Sequence, residues 1–493
     1  MTNITEGTLE GNTITFIGAG IQDTLGDGVK LNLQGATKVE IINIGIIADY
    51  AFANASSLTS ILIPNSVKTI SPFAFYYATG LTSIIIPDSV TTIGEYAFAF
   101  ASSLISITIP NGVTIISNNM FVFASGLKSI SIPSSVTTIS DSAFVSTTSL
   151  ESITVNSNNQ NYLSFNGVLF DKKRELLIQY PAGNIQSTYS ILNSVKIIGP
   201  SAFLKATSLT SILIPNSVTT IGNSAFYRAT GLTSITIPNT VTTIGNFAFA
   251  FATGLKSIII PNSVTTIDDY VFAGTSSLTS ISIPNTVTTI GNSAFSGATG
   301  LTSILISNNV TTIGDNAFAS TISLTSIIIP NTVTTIGTNA FAGTYSLKTV
   351  YISPKTIKLL NDKYKLKLVD STNQSFFGIP LVELTTAAPT TQAPTTQAPT
   401  TQAPTTAATT TAPPTTPRST TTPTTASTTT AAPTTAAPTT AAPTTSRSTT
   451  TPTTTATTPR GITVAPKAIL VIILIVLVIL TLVGVGIFII KIK

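Results

Sequence analysis

The side chains that could do chemistry are few and widely spaced. Asp268 and Asp269 are the only adjacent acidic pair, and they follow Ile267 in a stretch that predicts an ordinary turn. The chain has no His and no Cys, so no imidazole is present to activate a serine, and a metal lacks its two commonest nitrogen and sulfur ligands. Carboxylates are too sparse for a calcium loop, and no Gly-rich phosphate loop with its lysine occurs. We therefore expect no enzyme activity, no cofactor and no metal.

Charge is equally scarce. Charged residues make up 8% of the chain, against about 25% in ordinary soluble domains. A net charge of +5 spread over 493 residues does not form the clustered basic surface that nucleic acids require, so no nucleic-acid partner is expected. Solubility must come from Thr, Ser and Asn.

These polar residues belong to a sequence that repeats every 23 residues, and Leu232–Ala252 is a representative copy. The same step carries an Ala-Phe pair along the chain. A fixed period in this range predicts a solenoid, in which each copy covers the core of the next. The step recurs in two runs of prolines: Pro64, Pro87, Pro110 and Pro133, then Pro215, Pro238, Pro261, Pro284 and Pro330.

Each copy begins with a pattern that predicts a short strand. Ile235 and Ile237 alternate with Ser234 and Thr236, so the two isoleucines share the inward face and the two hydroxyl side chains share the outward face. Pro238 cannot donate a ladder hydrogen bond and is expected to end the strand.

The second part of the copy predicts a return path. Val241 and Ile244 supply further inward side chains along an extended V-T-T-I segment. Gly245 is expected to turn the chain, and Phe249 to start a short helical or 3₁₀ turn that closes the interior.

The consensus L-T-S-I-x-I-P-x-x-V-T-x-I-G-x-x-A-F resembles the BspA-like leucine-rich repeat family, surface proteins of anaerobic bacteria and of mucosal protists such as trichomonads. The resemblance covers roughly Ala51–Ile352, with about twelve copies. It implies a leucine-rich repeat fold and a role in attachment to host cells, matrix or other microbes. Family repeats commonly carry a cysteine where this chain has a small alanine, which we expect to be buried: Ala55, Ala78, Ala229, Ala252 and Ala298.

The predicted fold class is a mainly β solenoid with a 23-residue period, followed by a disordered stalk and one transmembrane helix. The first 48 residues alternate like short strands in ITFIGAG, VKLNLQG and KVEIINIG, and 1–20 lacks the features of a secretory signal. The predicted domains are an N-terminal cap (1–48), the solenoid (49–352), a C-terminal cap with a short amphipathic helix at 355–368 (353–384), a stalk (385–467), a membrane span (468–490) and a short tail (491–493).

One insertion, at about 158–188, breaks the period. The position of the repeat proline is occupied by Asn156 before the insertion and next by Leu192 after it. The two residues are one period plus 13 residues apart. Alternating apolar residues on both sides of Asp171–Glu175 predict a hairpin, and a similar element recurs in the BspA-like family. Because removing the added residues restores the spacing, we expect the hairpin to project from the solenoid. Its tip is either a solvated turn or a contact for an anionic partner, and it carries Lys172, Lys173 and Arg174.

The segment from Thr385 to Arg460 consists almost entirely of Thr, Pro and Ala, a composition typical of O-glycosylated mucin-like stalks. An unmodified linker is the alternative. The apolar run at 468–490 is about 35 Å long as a helix, which suits a bilayer span, and a signal for a glycolipid anchor is the alternative. N-x-S/T sequences that could accept N-linked glycans include those that begin at Asn3, Asn54 and Asn373.

The remaining candidate for function is the outward face of the strands. One column there is nearly all serine and the other mixes hydroxyl and aliphatic residues, which suits contact with a protein or a glycan. The alternative is that these residues only favour strand formation. The candidate binding residues are Ser211, Leu213, Ser234, Thr236, Ser257, Ile259, Ser280, Ser303, Leu305, Ser326 and Ile328.

The sequence as a whole predicts a cell-surface leucine-rich repeat adhesin, held by one membrane span, with its solenoid outside and bound to extracellular proteins or glycans. An intracellular tail-anchored scaffold is the alternative, since no signal peptide is visible. A receptor ectodomain is a third hypothesis, which the short tail disfavours.

Overall fold

Each copy of the repeat forms one turn of a β-solenoid, with about 14 turns and a period of about 23 residues. The structure is a computed structural model that describes residues 3–18, 23–26, 31–364 and 383–385. These residues lie in the first of the two units into which the chain divides, Met1–Thr396. No helix in the described part is long and apolar enough to cross a membrane. The span predicted at 468–490 and the stalk beyond Thr385 lie outside the described residues.

The N-terminal part is a cap built from a hairpin and the first solenoid strands. Its strands β2 (Thr8–Glu10) and β3 (Thr13–Ile17) pair antiparallel, and β3 then pairs in parallel with β5 (Lys38–Ile42). The strand expected in VKLNLQG is absent: Leu31 and Leu33 are buried, but residues 31–37 form turns and irregular backbone. The strands are β1 (Asn3–Ile4), β2 (Thr8–Glu10), β3 (Thr13–Ile17), β4 (Thr24–Leu25), β5 (Lys38–Ile42) and β6 (Ile46–Ile47).

Each following copy contributes a longer strand of three or four residues and a second strand of two. The longer strands pair in parallel with exact 23-residue register, as Ser106 does with Ser129. The strands of this first half are β7 (Ser60–Leu62), β8 (Thr69–Ile70), β9 (Ser83–Ile85), β10 (Thr92–Ile93), β11 (Ser106–Thr108), β12 (Ile115–Ile116), β13 (Ser129–Ile132), β14 (Thr138–Ile139) and β15 (Ser152–Val155).

The insertion forms three antiparallel strands: β16 (Tyr162–Phe165), β17 (Val168–Asp171) and β18 (Leu176–Gln179). The hairpin predicted around Asp171–Glu175 is present as β17–β18. The prediction that it projects from the solenoid is wrong, because β18 pairs in parallel with the next solenoid strand and the side chains at 168–170 are fully buried. We call these three strands the plate.

The plate separates the apolar core into two clusters. Val168 and Phe170 belong to the cluster of the second half, whereas Leu169 between them belongs to the cluster of the first half. Leu177 and Ile178 alternate in the same way. Since successive strand residues face opposite sides, each half of the solenoid closes against one face of the plate.

The second half repeats the pattern of the first. Its strands are β19 (Thr188–Ser190), β20 (Ile197–Ile198), β21 (Ser211–Leu213), β22 (Thr220–Ile221), β23 (Ser234–Thr236), β24 (Thr243–Ile244), β25 (Ser257–Ile259), β26 (Thr266–Ile267), β27 (Ser280–Ser282), β28 (Thr289–Ile290), β29 (Ser303–Leu305), β30 (Thr312–Ile313), β31 (Ser326–Ile329), β32 (Thr335–Ile336) and β33 (Thr349–Ile352).

A helix, α1 (Pro354–Tyr364), follows the last long strand, and β34 (Glu383–Thr385) pairs in parallel with β33. The short helix predicted at 355–368 is present over Pro354–Tyr364, and residues 365–368 lie outside the described part of the chain. Its start follows from two residues: Ser353 caps it by accepting a hydrogen bond from the Thr356 N–H at 3.1 Å, and Pro354 stands at the first helical position, where its missing N–H costs nothing.

The core is organised around a stack of phenylalanines, one per turn. Neighbouring rings lie parallel, with centroids 5.2 Å apart for Phe226 and Phe249 and 5.8 Å apart for Phe249 and Phe272. The rings are buried, and such aromatic pairs each contribute about 0.5–1.5 kcal/mol beyond the burial of their area. Tyr180 of the coil that contains the plate takes the same slot and stacks on Phe203 at 5.1 Å.

Hydroxyl side chains join one turn to the next. In one copy, Thr233, Thr240 and Thr242 donate from Oγ1 to backbone carbonyl oxygens of the preceding turn, at 3.2, 2.7 and 3.4 Å. The same three slots make these bonds in several other copies. The abundant Thr and Ser are therefore part of the inter-turn hydrogen bonding, as well as polar surface.

The segment around the Ala-Phe pair is a run of turns and not a regular helix, and the turn expected to start at Phe249 has a hydrogen bond from the Ala252 N–H to the Phe249 carbonyl oxygen at 3.1 Å. Phe247 and Phe251 have positive φ values of 60° and 57°, which a right-handed helix cannot accommodate. Their N–H groups donate to carbonyl oxygens of the following turn of the solenoid, while Ala248 donates within its own copy to Gly245. We call this side of the solenoid the turn face.

Candidate functional site

The outward side chains of the longer strands form what we call the strand face. In β23 the middle residue Ile235 is buried in the core, so its neighbours Ser234 and Thr236 must point outward. Pairing in register places Ser234 beside Ser257, and Thr236 beside Ile259. Two columns of exposed side chains therefore run along the solenoid.

All eleven predicted binding residues lie on this face and are exposed. The serine column supplies hydroxyl groups at every turn. The second column is mixed, and its aliphatic members are largely open to solvent: Leu213 is 65% exposed, Ile259 59% and Ile328 40%. The structure thus brings the predicted residues together on one surface.

The geometry of this surface favours an extended partner. Neighbouring strands of a sheet lie about 4.8 Å apart, so the aliphatic side chains of Leu213 and Ile259, two strands apart, repeat at about 10 Å. Thr236 stands between them. Exposed aliphatic groups of this kind gain about 25 cal/mol for each Å² that a partner covers, while the hydroxyls offer hydrogen bonds.

The hairpin tip is exposed, but two of its three cations are already engaged. Lys172 donates from Nζ to the Asn159 carbonyl oxygen, and the Arg174 guanidinium lies 5.4 Å from the centre of the Phe165 ring. Next to the tip, Glu175 pairs with Lys196 at 2.7 Å, and that hydrogen bond holds the pKa of the Glu175 carboxyl below its usual value. These contacts favour the solvated turn over a contact for an anionic partner.

The acidic pair has a structural role. Asp269 accepts a hydrogen bond from the Asn292 N–H at 2.6 Å on Oδ1, and its own N–H donates to Asn246 Oδ1 at 3.1 Å. Similar bonds continue to Asp315, so the pair is one step in a ladder of turn contacts. Burial raises the pKa of Asp268, and the adjacent Asp269 charge adds to that effect. Within the described residues, no group of acidic side chains could hold a metal.

The glycosylation acceptors are distributed differently. Asn54 is exposed, at a positive-φ position of the turn face. Asn3 belongs to β1. Asn373 lies outside the described residues. Modification of these residues stays a prediction.

The sequence interpretation missed a cluster of aromatic residues on the turn face of the first half. Tyr50, Phe73 and Tyr96 stack with centroids 4.7 Å apart, and a second stack joins Tyr77 to Phe100 at 4.3 Å. The signal was present in the sequence, since these residues also recur at 23-residue spacing beside the Ala-Phe pair.

Tyr76 lies between the two stacks. It makes edge contacts with Phe73, Tyr77 and Phe100 at 4.9–5.5 Å. Burial, followed by the neighbouring tyrosines, raises the pKa of Tyr76 to about 12. Because the ring faces are largely used on one another, the cluster stabilises the turn face and leaves mainly ring edges for a partner.

A comparison with known families identifies the repeats. The model of the BspA type leucine rich repeat region matches residues 45–170, 182–298 and 265–364, in six copies and over more than half of the chain. The chain belongs to the BspA-type leucine-rich repeat family. The resemblance drawn from the consensus is therefore confirmed.

Comparison with solved structures finds leucine-rich repeat proteins that are similar to this BspA-type protein. A leucine-rich repeat protein from Eubacterium ventriosum is 29% identical, with 68% of this chain and 91% of that one covered and a TM-score of 0.61. A leucine rich cell surface protein from Faecalibacterium prausnitzii is 31% identical, with coverages of 61% and 92% and a TM-score of 0.48. The pneumococcal vaccine antigen PcpA is 24% identical, with coverages of 72% and 93% and a TM-score of 0.47. A comparison with curated proteins gives no match.

Proposed function

We propose that this BspA-type protein is a cell-surface adhesin that binds extracellular proteins or glycans through its strand face. The observation that carries the proposal is the exposure of aliphatic side chains at matching register positions, Leu213, Ile259 and Ile328 among them. Solvent-exposed aliphatic residues on a regular surface mark interaction sites when they are grouped. Repeat proteins use such extended faces to bind.

The predicted stalk and span support a location at the cell surface. A Thr/Pro-rich segment stays extended, at about 3.1 Å per residue, and would hold the repeats away from the bilayer. Such a spacer has a clear use outside the cell, which is why we prefer the adhesin to an intracellular scaffold.

Limited proteolysis of cells that express the full-length chain tests the location. We expect protease added to intact cells to cut off the repeats. Removal of O-linked sugars should lower the apparent mass on a gel. Repeats that are cut only after permeabilisation would instead indicate the scaffold.

A triple variant tests the binding face. Leu213→Lys, Ile259→Lys and Ile328→Lys together should abolish attachment of expressing cells to a target surface, because three charges would interrupt the aliphatic column. The fold should persist, since all three positions are exposed. A matched control places the same charges in the same three copies, three residues later, as Asn216→Lys, Asn262→Lys and Asn331→Lys. Equal attachment by both variants would contradict the proposal.

A further inference from the structure

A groove lies on the first half of the solenoid, away from the residues assigned to attachment. Its rim is formed by Thr108, Ser131 and Thr154, the outward residues of three consecutive long strands that pair in register. Thr108, Ser131 and Thr154 belong to the mixed column of outward side chains. In the other described repeats, that column has an aliphatic residue at least at every second strand. Three neighbouring hydroxyls therefore distinguish this place.

One wall of the groove carries a carboxylate. Asp88 accepts a hydrogen bond from the Asn111 N–H at 2.9 Å, and both its carboxylate oxygens lie 3.3 Å from Asn111 Nδ2. The residue after the repeat proline is Asn or Ser in the other copies that keep this proline, so Asp88 is an exception. An ionised carboxylate has about four acceptor positions, and Asn111 leaves some of them open.

Further polar groups complete the groove. The hydroxyls of Thr108 and Ser131 make no hydrogen bond within the described chain, whereas Thr154 donates to the Ile130 carbonyl oxygen at 3.2 Å. Asn156, at the end next to the plate, accepts from the Asn158 N–H on Oδ1 and keeps its Nδ2 donors. The site thus offers both donors and acceptors.

The space in the groove is small. Ile109, Ile132 and Pro133 lie beneath it and are buried, and the half-buried Val155 supplies its accessible apolar surface. Its volume is about 260 Å³, just under the roughly 300–1,000 Å³ typical of pockets for drug-sized ligands. One or two sugar rings match this size.

We propose that this groove binds a neutral saccharide. The carboxylate–amide pair of Asp88 and Asn111 suits adjacent sugar hydroxyls, the rim hydroxyls add further hydrogen bonds, and the half-buried side chain of Val155 can meet the C–H face of a sugar ring. No Lys or Arg lines the groove, so an anionic sugar would meet Asp88 without a compensating charge.

Saccharide binding to the purified full-length chain, in a detergent without a sugar headgroup, tests this inference. Saturation-transfer NMR would use methyl glycosides of galactose, mannose and N-acetylglucosamine, with N-acetylneuraminic acid as the anionic probe. We expect at least one neutral glycoside to bind with a Kd on the order of 1 mM, and the anionic sugar to bind at least tenfold more weakly.

Two variants and one control decide where binding occurs. Asp88→Asn inserts the residue that stands in this slot of other copies, so it should fold normally and weaken binding at least tenfold. Thr108→Val should also weaken it. Asn262→Ser, in the same slot of a distant copy, should leave it unchanged. Absence of neutral binding, equal binding of the anionic sugar, or unchanged binding by both groove variants would overturn the inference.

These outcomes are separate from those for attachment. The biological use of saccharide binding rests on the proposed function, but the binding itself does not, because the probe is a free sugar. The groove also lies on the other side of the plate from Leu213, Ile259 and Ile328. The triple lysine variant should therefore keep saccharide binding.

Discussion

One position in each turn of the solenoid is fully buried and accepts only a small side chain. The slot lies three residues after the core phenylalanine and holds Ala252 in one copy and Thr275 in the next. Both side chains are fully buried, as expected for the alanines from their recurrence. Threonine fits because its Oγ1 donates to the Phe272 carbonyl oxygen at 2.7 Å, which satisfies the hydroxyl without a partner from another turn.

This slot gives a prediction with its own control. Ala252→Asp should lower the free energy of unfolding by about 3–5 kcal/mol, since it buries a charge without a partner. Ala252→Thr should change it far less, because the same internal hydrogen bond becomes available. Thermal or denaturant unfolding of the two variants measures the difference. Equal stability of Ala252→Asp and wild type would contradict the burial of this slot.

Tyr76 gives a prediction about pH. Its pKa of about 12 in the folded chain exceeds the ordinary value of 10.0, mainly because the ring is partly buried. The folded state therefore holds this proton more tightly than the unfolded state, so the stabilisation is complete below pH 10 and is lost as the pH rises from 10 to about 12. Tyr76→Phe should make the fall of the melting temperature across this range shallower. Identical pH profiles for the variant and wild type would contradict the assignment.

At the scale of elements, the plate is the part that departs most from a regular solenoid. The side chains of Val168, Leu169 and Phe170 are fully buried between the two halves of the core. Excising residues 162–179 would expose the end of each cluster. Lys173, at the exposed tip, has no comparable role.

We expect the excised chain to lose its cooperative unfolding transition in circular dichroism. Phe170→Ala should cost about 3–5 kcal/mol, as removal of a buried aromatic ring does. Lys173→Ala should stay within about 0.5 kcal/mol of wild type. If the excised protein melts cooperatively near the wild-type temperature, the plate is not part of the core.

The plate also shows what the sequence could and could not predict about elements. The hairpin β17–β18 followed from alternation around the charged tip. The strand β16 was missed, although Asn166 and Gly167 have φ values of 50° and 80°, the conformation for which Asn-Gly is the strongest hairpin signal. The pairing of β18 with β20 has no local signal, because it depends on contacts between distant segments, and so the projecting hairpin was the wrong prediction.

The turn face illustrates a second kind of limit. Local propensity favours a helical turn at Phe247–Phe251, since left-handed φ values cost a bulky residue about 1–2 kcal/mol. Hydrogen bonds to the next turn of the solenoid and the stacking of Phe247 on Tyr270 at 4.4 Å offset that cost. A repeated tertiary environment overrides the preference of a single copy.

At the scale of the whole described molecule, the period of 23 residues was sufficient to place the binding candidates. Because every turn repeats the same register, one correct assignment of Ser234 as outward fixes the orientation of its counterparts. The groove at Asp88 was not predicted, since it depends on three rim residues and on the residue that follows the proline of an earlier copy. The plate separates this groove from Leu213, Ile259 and Ile328, while the same column in the first half also carries the exposed Leu62 and Ile85.

Attachment through the strand face is tested most directly by a covalent footprint of the bound protein. Full-length chain on expressing cells would be labelled with a carbene probe, free and attached to the target surface, and the modified residues identified by mass spectrometry. We predict that Leu213, Ile259 and Ile328 become protected on attachment, while Tyr270 and Tyr345, exposed outside the strand face, keep their labelling. Protection of those two tyrosines with unchanged labelling of the three aliphatic residues would contradict the account.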